Sequence, residues 1–401
     1  MWLPQRSWPT LALLLAVCHA PALAQSDVVS KLKVESSLHF DNNLFRLPPD
    51  ADPVALVGKP SAAERIETNS LTLNFSSTLS LQKFEVSINL VNNRYQNFDY
   101  LSYPARNYNA AWHWAITPHL HGNLSSQRQE TQNNFQDTPG RYEQNLRVNN
   151  NTRLDAAIEP GGGWIMLAGI SQSAQSNQLA VTADADYEEK ALELGLSYVL
   201  GSGSTITYTG RKTNGSYLHH VLPSGSYDDG FQQIDNGLKL HWVISGKSVI
   251  DLGATRVSRT QPQSPEQDYT GLNANANFNW SISGKSALIA SWARELSSYQ
   301  TIYSSYSLTN RFSIGPVWQI SPKVLMRARY EVAQIDYLGS PFSLFANIRS
   351  DSTADANISL DWQPNQYITI STSLENAARK SSLAGLDYES KMATISAQFS
   401  Y

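Results

Sequence analysis

The stretch Leu272-Asn273-Ala274-Asn275-Ala276-Asn277-Phe278-Asn279-Trp280 decides the fold. In an extended chain successive side chains point to opposite faces. The asparagines therefore share one face, while Leu272, Ala274, Ala276, Phe278 and Trp280 share the other. One face takes water and the other takes hydrocarbon. The same split separates Leu192, Leu194, Leu196 and Tyr198 from Glu193, Gly195 and Ser197. It also separates Ala356, Ile358, Leu360 and Trp362 from Asp355, Asn357, Ser359 and Asp361. A soluble sandwich alternates too, with its apolar face turned inward, so alternation alone leaves two architectures open.

Trp280 belongs to a second regularity. Trp114, Tyr198, Trp242, Trp280, Trp318 and Trp362 each precede a tight polar turn such as Ile282-Ser-Gly-Lys285 or Ile320-Ser-Pro-Lys323. They recur at roughly forty residues, the period of a hairpin array or a closed barrel. The interval from 114 to 198 is about twice that, as though one aromatic were missing. A ring repeated at the turn-proximal end of strand after strand suits headgroup depth, where its polar edge stays wet. These six are the predicted aromatic girdle.

Connection lengths alternate as well. Short turns fall near 81, 117, 160, 201, 245, 283, 321 and 364. Longer polar stretches fall near 41–65, 98–103, 131–142, 176–184, 215–229, 261–267, 299–304, 338–347 and 379–385. Short on one side and long on the other is the asymmetry of transmembrane barrels, which also have an even strand number. The expected fold is thus all-β: an antiparallel transmembrane β-barrel of eighteen strands, with short periplasmic turns, long extracellular loops and both termini on the short-turn side. Sixteen strands is the alternative, since strand 1 (about Lys31 to Phe40), strand 7 (about Trp164 to Ser173) and the loop near Tyr100 are the least marked. The segment from Ala393 ends on outward-facing Phe399 and Tyr401, which fits a terminal strand read by the bacterial barrel-assembly machinery.

Composition agrees. Only 16% of the 401 residues are charged, the formal charge is −4, and Tyr and Trp number 19 and 10. No run of eighteen apolar residues exists, which excludes a transmembrane helix and leaves a barrel untouched. Basic patches interleaved with aromatics are lacking, so no nucleic-acid partner is expected. Residues 1–24 read as a secretory signal peptide, with Arg6, the apolar Leu11 to Val17 and an A-x-A site at Ala22-Leu23-Ala24. Residues 25–401 then form one barrel domain. Cys18, the single cysteine, lies in that leader. Lipidation at Cys18 is the alternative, but Val17 is larger than the small residue such a site needs.

If the apolar face meets lipid, the other face lines a lumen with Glu85, Arg147, Arg153, Asp155, Glu193, Arg211, Asp235, Lys239, Asp251, Arg311, Arg327, Arg329, Glu331, Asp355, Asp361 and Glu375. These, apart from Glu85, are the candidate permeation path. On the lipid face near mid-bilayer an Arg or Lys would cost roughly 2–4 kcal/mol. Arg256 and Arg294 fall on the apolar parity and are expected towards strand ends. Both signs occur in the lumen, so no strong ion preference is expected, and pairing across the wall is the plain reading of the charges.

Catalytic motifs fail the same scrutiny. No HExxH, GxSxG or phosphate-cradling glycine loop appears. His119 and His121 are read as sharing a strand face, and His219 and His220 as lying in a loop, with no third ligand to hold a metal. Gly161-Gly162-Gly163 after Pro160 reads as a turn. No enzyme, cofactor or metal is expected.

Several segments carry a resemblance. They are Asp41-Asn-Asn-Leu-Phe-Arg-Leu-Pro48, Tyr95-Gln-Asn-Phe-Asp-Tyr-Leu101, Asn107-Tyr-Asn-Ala-Ala-Trp-His-Trp114 and Gly122-Asn-Leu-Ser-Ser-Gln-Arg-Gln-Glu130. To these add Asp228-Asp-Gly-Phe231, His241-Trp-Val-Ile-Ser-Gly-Lys-Ser248, Glu295-Leu-Ser-Ser-Tyr-Gln300, Asp361-Trp-Gln-Pro364 and Ser382-Leu-Ala-Gly-Leu-Asp-Tyr388. Together they resemble the EpsL-type proteins, outer-membrane barrels found with exosortase-associated exopolysaccharide biosynthesis clusters in Gram-negative bacteria. The similarity spans nearly the whole chain after the leader. It implies a porin-like role in making or exporting a secreted polysaccharide, with outer-membrane lipid, the exopolysaccharide and periplasmic polysaccharide-export proteins as partners. It transfers no catalytic or binding residue. A surface protein that holds the polymer through loops Asp41 to Arg65 or Gly215 to Gly230, with Tyr217, Tyr227, His219 and His220 stacking on sugars, is the competing expectation.

Overall fold

A computed structural model describes residues 27–135, 140–179, 186–218, 229–263, 265, 268–301, 304–339 and 349–401. The leader, Cys18, His219, His220 and Tyr227 lie outside the described residues. Eighteen strands are described. The first nine are Asp27–Asp41 (β1), Glu64–Leu79 (β2), Gln82–Tyr95 (β3), Tyr103–Thr117 (β4), Leu120–Gln132 (β5), Leu146–Gly161 (β6), Trp164–Asn177 (β7), Tyr187–Val199 (β8) and Thr205–Tyr217 (β9). The second nine are Gly230–Ser245 (β10), Ser248–Thr260 (β11), Tyr269–Ser281 (β12), Ser286–Thr301 (β13), Ser304–Ser321 (β14), Val324–Leu338 (β15), Ser350–Trp362 (β16), Ile368–Ser381 (β17) and Tyr388–Ser400 (β18).

Each strand pairs antiparallel with its sequence neighbours, and β1 pairs with β18, so the sheet closes on itself. Closure removes every free edge, the condition for a sheet to cross hydrocarbon. The seam is held by nine register pairs from Lys33↔Ser400 to Asp41↔Met392. Leu32 and Tyr401 exchange both backbone hydrogen bonds at 2.8 Å. The Tyr367 ring stacks on Phe399 and Tyr401, each at 6.3 Å. No helix among the described residues is long and apolar enough to cross a membrane.

The alternation maps onto two faces. Leu192, Leu194, Ile170, Leu238 and Leu374 are 52%, 59%, 54%, 52% and 61% exposed in the isolated chain, which rules out a dry interlayer of a sandwich. These side chains form the outward belt. Tyr198, Trp242, Trp280, Trp318 and Trp362 stand exposed on the same face beside the short turns. Trp114 shares the face but packs on Gly122, where an added Cβ would meet the indole at 2.6 Å and the Asp155 carbonyl oxygen at 2.0 Å. The aromatic missing from the period is Trp164, whose ring lies 4.7 Å from Tyr198. It stands after its turn rather than before it, which is why the spacing hides it.

Three local expectations are corrected. The long loop expected at 299–304 gives way to strand: β13 runs to Thr301 and β14 opens at Ser304, with those two residues paired. Arg294 consequently sits in the middle of β13, opposite Ala274, and donates to Asn310 Oδ1 at 3.2 Å; the hairpin extends past its neighbours, so the strand end is no measure of depth. Arg256 does lie near the upper end of β11. His119 lies in the turn ahead of β5, not on a strand face.

Depth on the outward face sets the energetic test. Leu194→Arg, in the middle of β8, should destabilise the barrel by roughly 2–4 kcal/mol, while Asn277→Arg on the inward face of β12 should cost under about 1 kcal/mol. Urea unfolding in lipid vesicles measures both; equal penalties would contradict the assigned faces.

Candidate permeation path

Register carries the inner face around the barrel. One rung runs Asp155, Gly169, Glu193, Arg211, Asp235 across β6 to β10. Another runs Asp251, Asn277, Ser291, Ser313, Glu331, Asp355, Ala377 across β11 to β17. Lys239 and Asp251 share the β10–β11 inner face, through Lys239↔Gly253 and His241↔Asp251. Arg329, Asn357 and Glu375 lie in line, as do Arg327 with Ser359 and Leu325 with Asp361. Arg311 faces Ala333, and Arg147 shares the parity of Arg153 on β6. Every sequence-predicted path residue thus falls on the face opposite the apolar belt.

The charges pair locally. Arg153 donates to Glu193 at 2.8 Å and to Asp155 at 3.4 Å, while Asn123 donates to Asp155 at 2.9 Å. Arg311 contacts Glu331 at 3.1 Å and Glu295 at 4.0 Å. Arg329 reaches Glu331 at 3.7 Å and Asp355 at 3.9 Å, Arg211 reaches Glu189 at 3.5 Å, and Arg327 bonds Asp361. Such half-exposed pairs contribute only about 0–1 kcal/mol each, so their effect is on the field along the wall rather than on stability. Arg327 and Arg329 keep 48% and 57% of their side chains exposed, which makes them the accessible cations of the densest cluster.

Sequence reading missed three histidine–carboxylate contacts on this wall near the short turns. His113 meets Glu85 at 2.9 Å, His121 meets Glu159 at 3.0 Å and His241 meets Asp251 at 2.6 Å. Each histidine shares the parity of the predicted lumen charges, the signal that would have found them. No group of three metal-ligating side chains occurs among the described residues.

The long-loop mouth holds what no periodicity could reveal. Leu44, Phe45, Leu47 and Ala62 from the first loop, Phe98 and Leu101 from the second and Phe135 from the third are buried together. They pack against Ile66 and Tyr95, which lie on the inner faces of β2 and β3. Phe45 meets the rings of Phe98 and Phe135 edge-on at 4.6 and 4.8 Å. The Glu64 carboxylate accepts the amides of Gln96, Asn97 and Phe98 at 2.8–3.1 Å, clasping the second loop. A one-turn helix, Pro53–Val57, is capped by Asp52 and ended by Gly58 at φ 68°, the left-handed conformation glycine adopts without strain. The Tyr100 hydroxyl donates to the Tyr142 carbonyl at 2.8 Å. Its pKa is raised, by burial first and then by the charges of Glu143 and Glu64.

Two more inward clusters complete the rim. The Arg259 guanidinium covers the Phe231 ring at 3.8 Å and faces Tyr269 at 5.5 Å, with Tyr217 5.7 Å from Phe231. Asp351, fully buried, receives Arg349 at 2.7 Å and the Ser381 hydroxyl at 2.6 Å, with Arg379 3.9 Å away. The mouth is therefore a built structure, packed and hydrogen-bonded, while the mid-barrel wall stays polar and accessible.

Residues 257–401 match the family model described as "Putative beta-barrel porin 2". Among solved structures the chain is similar to Pseudomonas aeruginosa OccK2 (OpdF) in complex with glucuronate, with a TM-score of 0.53 at 10% identity over 93% of this chain and 98% of that one. It is similar to P. aeruginosa OpdK with vanillate, with a TM-score of 0.52 at 11% identity over 93% and 99%. It is also similar to P. aeruginosa OccK9 (OpdG), with a TM-score of 0.52 at 10% identity over 94% and 99%. No curated protein sequence matches the chain. The shared property is the fold, a porin-like β-barrel.

Phe45→Ala removes the centre of the loop core and should weaken it by roughly 3–5 kcal/mol. Amide hydrogen exchange across Leu44–Ala62 should then accelerate sharply while β6–β12 keep their protection; unchanged exchange in that loop would contradict the packed mouth.

Proposed function

We propose that the protein is an outer-membrane pore of a Gram-negative bacterium, through which a secreted polysaccharide or a saccharide of its synthesis crosses. The carrying observation is the pair of inward rungs of mainly charged and polar side chains, across β6–β10 and β11–β17, in a closed eighteen-strand barrel. Hydroxyl-rich chains exchange hydrogen bonds with such a wall as they exchange them with water, so a saccharide moves along it without a deep binding well. Conduction of any solute requires sites favourable enough to enter and weak enough to leave. Barrels of this strand number are wide enough for an aqueous channel. The resemblance to EpsL-type proteins supports the link to exopolysaccharide, and OccK2 with its bound glucuronate is a barrel of this fold in complex with a sugar acid. The role is transport, with no catalytic step.

A second reading is favoured by the mouth. Tyr217 and Arg259, half-exposed beside the buried Phe231 and Tyr269 rings, offer one ring and one cation where a surface polymer would be held. In that reading the loops anchor the exopolysaccharide and the barrel is only a support. Trimming residues 219–228 separates the two: lost polymer retention with conductance intact favours the anchor.

Purified protein in planar bilayers should conduct, and added exopolysaccharide should lower the current; a silent barrel together with normal secretion in a deletion strain would refute the pore. Replacing both exposed cations, R327Q/R329Q, should move the zero-current potential in a salt gradient towards cation preference. An unaltered potential would mean that the current bypasses this wall.

A further inference from the structure

The outward face carries a depression that neither reading uses. It is an open cavity of ≈ 1040 Å³ reaching from β14 round to β2. One rung of cross-strand neighbours crosses it: Ala328, Ile358, Leu374, Ala393, Phe40 and finally Arg65. The next rung towards the long loops runs Tyr330, Ala356, Asn376 and ends on Lys391. Alanines make the floor, larger apolar side chains make the walls, and each rung finishes on a cation.

The wall is shaped for this. Pro316 stands inside β14, where its missing amide hydrogen is unfavourable in a central strand, and the β14–β15 pairing skips Gly315 and Pro316. At Gly315 the Ala328 carbonyl comes so near that a Cβ would lie 2.3 Å from it. A proline in a paired strand, with a glycine that admits the neighbouring backbone, dents the sheet where the groove lies.

The cations are unsatisfied. Arg65 lies over the Phe40 ring at 6.0 Å, and Arg94, Arg106, Lys380 and Lys391 share the outward parity at the long-loop ends of β3, β4, β17 and β18. Among the described residues none of these five has a carboxylate within ion-pair distance. The outward acids nearby are otherwise engaged or apart: Glu130 pairs with Arg128 at 3.1 Å, Glu67 accepts from Asn69 at 2.7 Å, and Glu389 pairs with none of the five. Unpaired cations at the edge of the hydrocarbon belt call for an anion at headgroup depth, and the alanine-floored groove beneath calls for acyl chain. One molecule supplies both.

We infer that this groove binds a phosphate-bearing lipid of the leaflet on the long-loop side, its acyl chains along Ala328, Ala356 and Ala393 and its phosphate between Arg65 and Lys391. Arginine favours phosphate through paired, charge-assisted hydrogen bonds, and the stacked Phe40 ring limits where its guanidinium can go. The inference rests on the transmembrane barrel and its outward face, and is independent of whether the lumen conducts.

Native mass spectrometry of the purified barrel in detergent tests it, with bisphosphorylated lipid A, dephosphorylated lipid A, phosphatidylcholine and inorganic phosphate as probes. The phosphorylated lipid should be retained about ten-fold more tightly than the dephosphorylated one, and R65Q/K391Q should lose about that factor, the worth of one charge-assisted contact. Ala356→Phe, which fills the floor, should also lower retention. Single-channel current should be the same in all three proteins, so failure of the pore and failure of the lipid site read out separately. Equal retention by wild type and R65Q/K391Q, equal retention of the phosphorylated and dephosphorylated lipids, or displacement by inorganic phosphate would each overturn the inference.

Discussion

Hydrocarbon offers no partner to a peptide group, so every N–H and C=O that crosses the membrane must be satisfied by the protein itself. For a sheet this demands closure, and closure is made by the pairing of β1 with β18. The reciprocal bonds between Leu32 and Tyr401 finish the ring. Once the ring is shut, each strand has an inside and an outside, and the two-residue period of the chain becomes a radial sorting of chemistry. Leucine and tryptophan go to lipid; aspartate, arginine and asparagine go to water. The stability of the fold, the polar path and the outward groove all follow from that sorting.

The barrel was legible in the sequence because its rule is local. Alternation in Leu272–Trp280, an aromatic before each short turn and the alternation of connection lengths are properties of neighbouring residues, and together they set the strand number and both faces. Even the weakly marked strands β1 and β7 only proved longer than expected, Asp27–Asp41 and Trp164–Asn177. What escaped was non-local or depended on depth. Trp164 completes the girdle from the far side of its turn, Arg294 shows that depth is not distance from a strand end, and Thr301 and Ser304, expected in a loop, end and open two paired strands.

The mouth was illegible for a different reason. Leu44, Phe45, Phe98 and Phe135 come from three connections distant in sequence and show no period, yet they bury one another against Ile66 and Tyr95. Nothing in Asp41-Asn42-Asn43-Leu44-Phe45 announces a core; only the ring of strands brings the loops together. The path residues, by contrast, were found by parity alone, and parity could not say which of them pair. Arg153 with Glu193 and Arg311 with Glu331 depend on register. The histidine contacts at Glu85, Glu159 and Asp251 obeyed the same parity and were overlooked because histidine was weighed as a metal ligand rather than as a lumen side chain.

The radial sorting is open to one direct measurement. With Cys18 replaced by serine, single cysteines placed in turn at residues 274 to 278 of β12 are exposed, in reconstituted barrels, to a membrane-impermeant thiol reagent. Cysteines replacing Asn275 and Asn277 should react rapidly, and those replacing Ala274, Ala276 and Phe278 should be protected by lipid. Uniform reactivity along the strand, or protection of the asparagine positions instead, would contradict a wet interior inside an apolar wall.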